Sequence, residues 1–101
     1  MDIINFEWDE NKNSINKKKH HVSFEEAKTV FYDEEARLID DPEHSEQEER
    51  FILLGMSLKA NLLVVCHCVR CSDTVIRIIS ARKATKKEQQ QYYDFQQEVR
   101  I

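Results

Sequence analysis

Short apolar runs alternate with polar stretches along this chain, and the periods of those runs predict its elements. Ile3 to Trp8 alternates loosely and reads as a first strand. Asp9 is placed to cap a helix running through Lys12, Ile15 and Lys19, a helix whose apolar face is thin. Ser23-Phe24-Glu25-Glu26 is a capping box, in which hydroxyl and carboxylate each satisfy an orphan backbone N–H. The helix it opens sets Phe24, Ala27 and Phe31 on one face, with Val30 beside them, and Asp33-Glu34-Glu35 ends it. Ala36 to Asp40 is a predicted strand, followed by a polar loop, Asp41 to Glu46, around the only proline. The apolar runs Arg50 to Met56, Leu62 to Val69 and Thr74 to Ala81 are separated by turn-length gaps and predict a β-meander. Thr85-Lys86-Lys87-Glu88 is a second capping box, opening a C-terminal helix anchored by Tyr92, Tyr93 and Phe95.

The order β-α-α-β-β-β-β-α predicts an α+β fold: a mostly antiparallel sheet with two N-terminal helices and one C-terminal helix, the helices against one face. The 101 residues suit a single domain, 1–101, large enough to close one hydrophobic core. One glycine and one proline exclude linkers and loop-rich folds, and also every glycine-rich phosphate loop or nucleophile elbow. No apolar run approaches the ~20 residues that span a bilayer, so no membrane role is expected. Met1-Asp2-Ile3-Ile4-Asn5 lacks the features of a secretory signal, and three cysteines fit a reducing, cytoplasmic setting.

The net charge of −4 conceals a segregated pattern. Residues 11–21 hold four lysines and no acid, residues 33–50 hold nine acids against Arg37 and Arg50, and residues 67–87 are basic again. Basic segments that meet in space would make a positive face on an acidic protein; a solvated surface of mixed sign is the plainer alternative.

Candidate chemistry concentrates in Val75 to Arg82, a β-branched strand carrying Arg77 and Arg82. A guanidinium flanked by core residues must reach solvent, a carboxylate or a bound anion. A three-residue hairpin loop, Cys71 to Asp73, would set His67 opposite Arg77 on one sheet face; a loop of two or four residues would set them on opposite faces. The sequence leaves both open. Lys17-Lys18-Lys19-His20-His21 adds a second cationic cluster, whose plainer reading is compensation of a helix C-terminus. Cys68-Val69-Arg70-Cys71 supplies only half a tetrahedral zinc site, and Cys66 and Cys68 on an apolar strand suit small core residues. Neither a metal site nor a cofactor is expected.

Residues in order along nearly the whole chain, roughly 6–93, carry a resemblance. They include Phe6-Glu7-Trp8-Asp9, Lys19-His20, Val22-Ser23-Phe24-Glu25-Glu26-Ala27, Glu49-Arg50, Gly55-Met56-Ser57 and Leu62-Leu63-Val64-Val65. His67, Arg70, Ile76-Arg77-Ile78-Ile79-Ser80-Ala81-Arg82, Ala84 and Glu88 continue the match. In these residues the chain resembles the BrnT family of bacterial type II toxins. The resemblance implies a RelE-like ribonuclease fold, metal-independent RNA cleavage that blocks translation, and neutralisation by a BrnA-type antitoxin. It also implies an assembly with two copies of each protein, in which operator DNA is bound only through the antitoxin.

Carried over by position, the resemblance makes Arg77 and Arg82 candidates for phosphate stabilisation and His20 and His67 candidates for proton transfer. Lys19, Arg50, Arg70 and Lys83 are the supporting RNA-binding candidates. Two positions depart from the family pattern: His21 stands where a glycine is common, and Ala60-Asn61 where Gly-Arg is common. A histidine adopts positive φ less cheaply than glycine, and the missing arginine weakens the positive field. The alternative to the nuclease is a non-catalytic RNA- or protein-binding module on the same fold.

Overall fold

Local capping chemistry starts and stops the helices of the computed structural model, which describes residues 4–39, 50–70 and 74–99. The expected loop at Asp41 to Glu46, including His44, lies outside the described residues, as do Cys71 to Asp73. Asp9 Oδ1 accepts from the N–H groups of Asn11 at 2.8 Å and Lys12 at 3.3 Å, opening α1 (Glu10–His20). The helix closes on His21 in the left-handed conformation, φ 60°, its N–H donating to the carbonyl of Lys17. Ser23 Oγ accepts from the Glu26 N–H and opens α2 (Phe24–Thr29), which tightens into a 3₁₀ turn at Val30–Tyr32.

Glu26 does not complete the predicted capping box. Its buried Oε2 accepts from Ser57 Oγ at 2.6 Å and from Asn61 Nδ2 at 2.8 Å, tying α2 to a distant turn. The second box is reciprocal: the Thr85 N–H donates to Glu88 Oε1, and the Glu88 N–H to Thr85 Oγ1, opening α3 (Lys86–Val99).

Five strands, β1 (Asn5–Glu7), β2 (Arg37–Ile39), β3 (Phe51–Met56), β4 (Leu62–Arg70) and β5 (Val75–Lys83), complete the predicted element order. They lie in one sheet, β1-β5-β4-β3-β2. β2 to β5 are an antiparallel meander, whereas β1 pairs parallel to β5 and makes the sheet mixed at that edge.

The helices cover both faces of this sheet, not one. Leu53, Leu63, Val65, Ile78 and Ala81 meet Val22, Phe24, Ala27 and Val30 on the α2 side. The alternate residues Leu54 and Val64 meet Ala84 and Tyr92 on the α3 side, with Ile39, Ile52, Met56 and Leu62 beside them. Period-2 alternation on β3 and β4 supplies an apolar residue to each side, so a second layer is needed to bury the other set. Of the expected anchors of α3, Tyr92 is buried, Phe95 carries the Arg37 guanidinium 4.8 Å over its ring, and Tyr93 is exposed. Gly55 sits where the 3₁₀ turn crosses β3: a Cβ there would lie 2.8 Å from both Ala36 Cβ and Val30 Cγ1.

α1 docks without an apolar face. Its buried residues are Asn13 and Asn16, and both make specific bonds to neighbouring elements. Asn13 accepts from the Phe24 N–H at 2.8 Å and donates to Glu25 Oε1 at 2.9 Å, holding α2, and that bond holds the Glu25 carboxyl below its usual range. Asn16 bonds the carbonyl of Val22 and the backbone of Ala81 in β5. Among the described residues no helix is long and apolar enough to cross a membrane.

Candidate functional site

Pairing in the last hairpin decides which candidates meet. Arg70 pairs with Val75, so four residues, 71–74, separate the partners. That even spacing puts Arg77 opposite Cys68 and His67 opposite Ile78, on opposite faces of the sheet. The shared His67–Arg77 face that a three-residue loop would give is therefore absent. His67 is 4% exposed on the α2 side, its ring 4.8 Å from that of Phe31 and 5.9 Å from that of Phe51. Its Nδ1 lies 3.3 Å from the Val65 carbonyl, and burial among these rings lowers its pKa. The same alternation separates it from Cys66 and Cys68, so these three do not share a metal-binding face. Among the described residues no cluster of three or more His, Cys, Asp or Glu is arranged to hold a metal.

The other face of β4 and β5 gathers the cations. Cys66 pairs with Ser80 and Val64 with Arg82, so Arg82, Ser80 and Arg77 share the α3 side with Cys66 and Cys68. At its end near α3, a cavity of about 270 Å³ is lined by Lys19, His20, Val64, Cys66, Ser80 and Arg82, among others. Lys19 and His20 reach it because they close α1, and α1 is pinned to β5 through Asn16. Three of the candidates thus line one cavity: Lys19, His20 and Arg82.

Each guanidinium on this face has a carboxylate partner. Arg82 donates from Nη1 and Nη2 to the two carboxylate oxygens of Glu88, at 2.7 and 2.9 Å. This bidentate bond brings the Glu88 carboxyl down to about 2 and raises the Arg82 pKa. The pair leaves the Arg82 Nε–H and one Nη2–H pointing elsewhere. Farther along the face, Glu7 Oε2 accepts from Arg77 Nη1 at 2.8 Å and from Arg70 Nη1 at 3.1 Å, and its bond to Arg77 raises that guanidinium's pKa. Glu7 reaches Arg77 because the parallel β1–β5 register sets the two side by side.

Arg50 is half-buried just ahead of β3, and Lys83 is exposed opposite Leu63, on the α2-side register rather than beside Arg82. From the sequence, Ser80, Glu7 and Glu88 carry no site role of their own, and Cys66 is weighed only as a metal ligand or a small core residue. Only Glu88 left a local signal, its place three residues after Thr85; Glu7 lies 70 residues from Arg77.

A family model described as the ribonuclease toxin BrnT of type II toxin–antitoxin systems matches residues 8–88. Among solved structures, the crystal structure of the Brucella abortus ribonuclease toxin BrnT is similar, with a TM-score of 0.58 and 22% identity. The match covers 85% of this chain and 99% of that one, and at this identity it is a likeness of fold. No curated protein matches by sequence. Because the family match spans most of its length, from just after β1 to the first turn of α3, the chain belongs to the BrnT family of ribonuclease toxins of type II toxin–antitoxin systems.

Proposed function

We propose that this chain is an endoribonuclease that cleaves RNA without a metal, arrests translation, and is neutralised by a BrnA-type antitoxin through which operator DNA is bound. The observation that carries this reading is the common cavity of Lys19, His20 and Arg82. In the reaction, the ribose 2′-oxygen attacks the adjacent phosphorus and His20 takes the hydroxyl proton. The P–O5′ bond breaks, the 5′-oxygen takes a proton from solvent, and the products are a 2′,3′-cyclic phosphate and a 5′-hydroxyl. Arg82 and Lys19 stabilise the charge that accumulates on the phosphoryl oxygens. Arg82 is suited to this because Glu88 fixes its plane while leaving two N–H groups for a phosphate. Arg77 and Arg70 lie farther along the face and serve to hold the RNA backbone. His67, enclosed on the other side of the sheet, has no part in this chemistry.

Incubating a short RNA with the protein in EDTA tests the proposal. The wild type cleaves it, His20→Ala slows cleavage about 10²- to 10⁴-fold, and Arg82→Ala about 10²- to 10³-fold. Intact RNA with the wild type, or undiminished cleavage by both folded variants, refutes it. A second reading, a binding module without catalysis, draws support from the carboxylates that neutralise Arg70, Arg77 and Arg82. Tight binding that leaves the RNA whole would favour it.

A further inference from the structure

A second cavity, about 190 Å³, adjoins the first between α1 and β5, with Lys12, Ile15, Lys19, His20, Ile79 and Ser80 among its walls. Lys19, His20 and Ser80 line both cavities, and among the described residues no carboxylate lines either. Two apolar residues in its wall are out of place by the rules of their own elements. Ile15 is the only apolar residue of α1, yet it is 62% exposed while asparagines take the core-facing positions. An amphipathic helix does the reverse. Ile79 is the extra residue of a bulge: Cys66 pairs with Ser80 and His67 with Ile78, leaving Ile79 without a partner on β4. Bulges re-aim a side chain, and they concentrate beside active sites. Lys12, Ile15 and Lys19 recur at the spacing of one helix face, so the aliphatic pair is flanked by ammonium groups.

We infer that this cavity is a nucleobase subsite, taking the base next to the scissile phosphate between Ile15 and Ile79, with Lys12 and Lys19 meeting the flanking phosphates. The inference rests on the RNA reading above and adds to it where the substrate lies. Charge complementarity selects the occupant: aliphatic walls suit the faces of a base, and the surrounding cations suit its phosphates. Asn16, which also lines the cavity, does not read the base edge. Its Nδ2 donates to Val22 O and Ala81 O, and its Oδ1 accepts from the Ala81 N–H. The subsite therefore holds a base by shape and stacking, with little discrimination among bases.

Fluorescence anisotropy tests this with two probes of equal charge: a short single-stranded RNA blocked by 2′-O-methylation, and its abasic counterpart. The wild type binds the base-bearing probe about tenfold more tightly, a difference within the range of stacking one or two bases. Ile15→Ser removes most of that preference while leaving the abasic affinity unchanged, and Ile15→Trp restores it. Equal binding of both probes by the wild type, or an equal loss of both in Ile15→Ser, overturns the subsite. Cleavage of the unblocked RNA in EDTA is followed in parallel. Base-dependent binding without cleavage upholds the subsite and overturns the nuclease; cleavage without base dependence does the opposite.

Discussion

Asn16 completes the open edge of β5 by a two-point bond to Ala81, donating from Nδ2 to its carbonyl at 2.8 Å and accepting its N–H on Oδ1 at 3.2 Å. β1 pairs with β5 only from Val75 to Arg77, so beyond that stretch a side-chain amide does the work of a neighbouring strand. The same Nδ2 donates to Val22 O, which fixes the turn after α1 and with it His20.

Asn16→Ala leaves these backbone groups buried without their partner. The expected cost is about 2–4 kcal/mol, since each unmet buried group costs about 1–3 kcal/mol. Urea denaturation measures it. Because α1 has no apolar face to hold it, RNA cleavage is lost under conditions where the variant is still folded. A loss under 1 kcal/mol with full activity would show that α1 is held by something else.

His21 and Ala60 both have positive φ, 60° and 63°, without being glycine. His21→Gly is expected to stabilise the protein by about 0.5–1 kcal/mol, as relief of the left-handed strain outweighs the added chain entropy. Ala60→Gly acts in the same direction. A lower denaturation midpoint for both would refute the strain.

His67 gives a pH dependence with a definite sign. Its folded pKa is lowered by burial from 6.5, so the unfolded chain binds more protons below that pH. Stability is therefore full above pH 6.5 and falls as the pH drops below it. His67→Phe, which matches the aromatic surroundings, should flatten the stability profile between pH 7 and 5 without affecting cleavage in EDTA; a profile unchanged from wild type would show that His67 does not govern it.

Glu88 contributes in a lower window. Its folded pKa is depressed from 4.5 to about 2, so its stabilisation is complete above 4.5 and is lost as the pH falls toward 2. The Arg82 side chain is 42% exposed and Glu88 16%, so solvent screening reduces the contribution to about 1–2 kcal/mol. Arg82→Met should remove most of this acid-dependent step in thermal denaturation scans. Retention of the whole step would assign it to Thr85 and the helix terminus instead.

The element order and all three helix starts were legible in the chain because they depend on neighbours within four residues: Asp9 before Asn11, Ser23 before Glu26, Thr85 before Glu88. The candidate cations were legible for a similar reason, as Lys19, His20, Arg77 and Arg82 stand out by type against their local pattern. What could not be read was parity and partnership. One residue more or less between Arg70 and Val75 exchanges the faces of the sheet, and the bulge at Ile79 shifts the register again. No local preference selects either; the burial of His67 against Phe31 and Phe51 and of Leu53, Val65 and Ile78 in one core does. Likewise, Glu7 meets Arg77 only through the parallel pairing of the first strand with the last. The sequence by itself determined which elements form and which side chains carry charge. The tertiary structure alone decided which of those charges meet, because contacts between distant residues are set by the joint packing of both sheet faces.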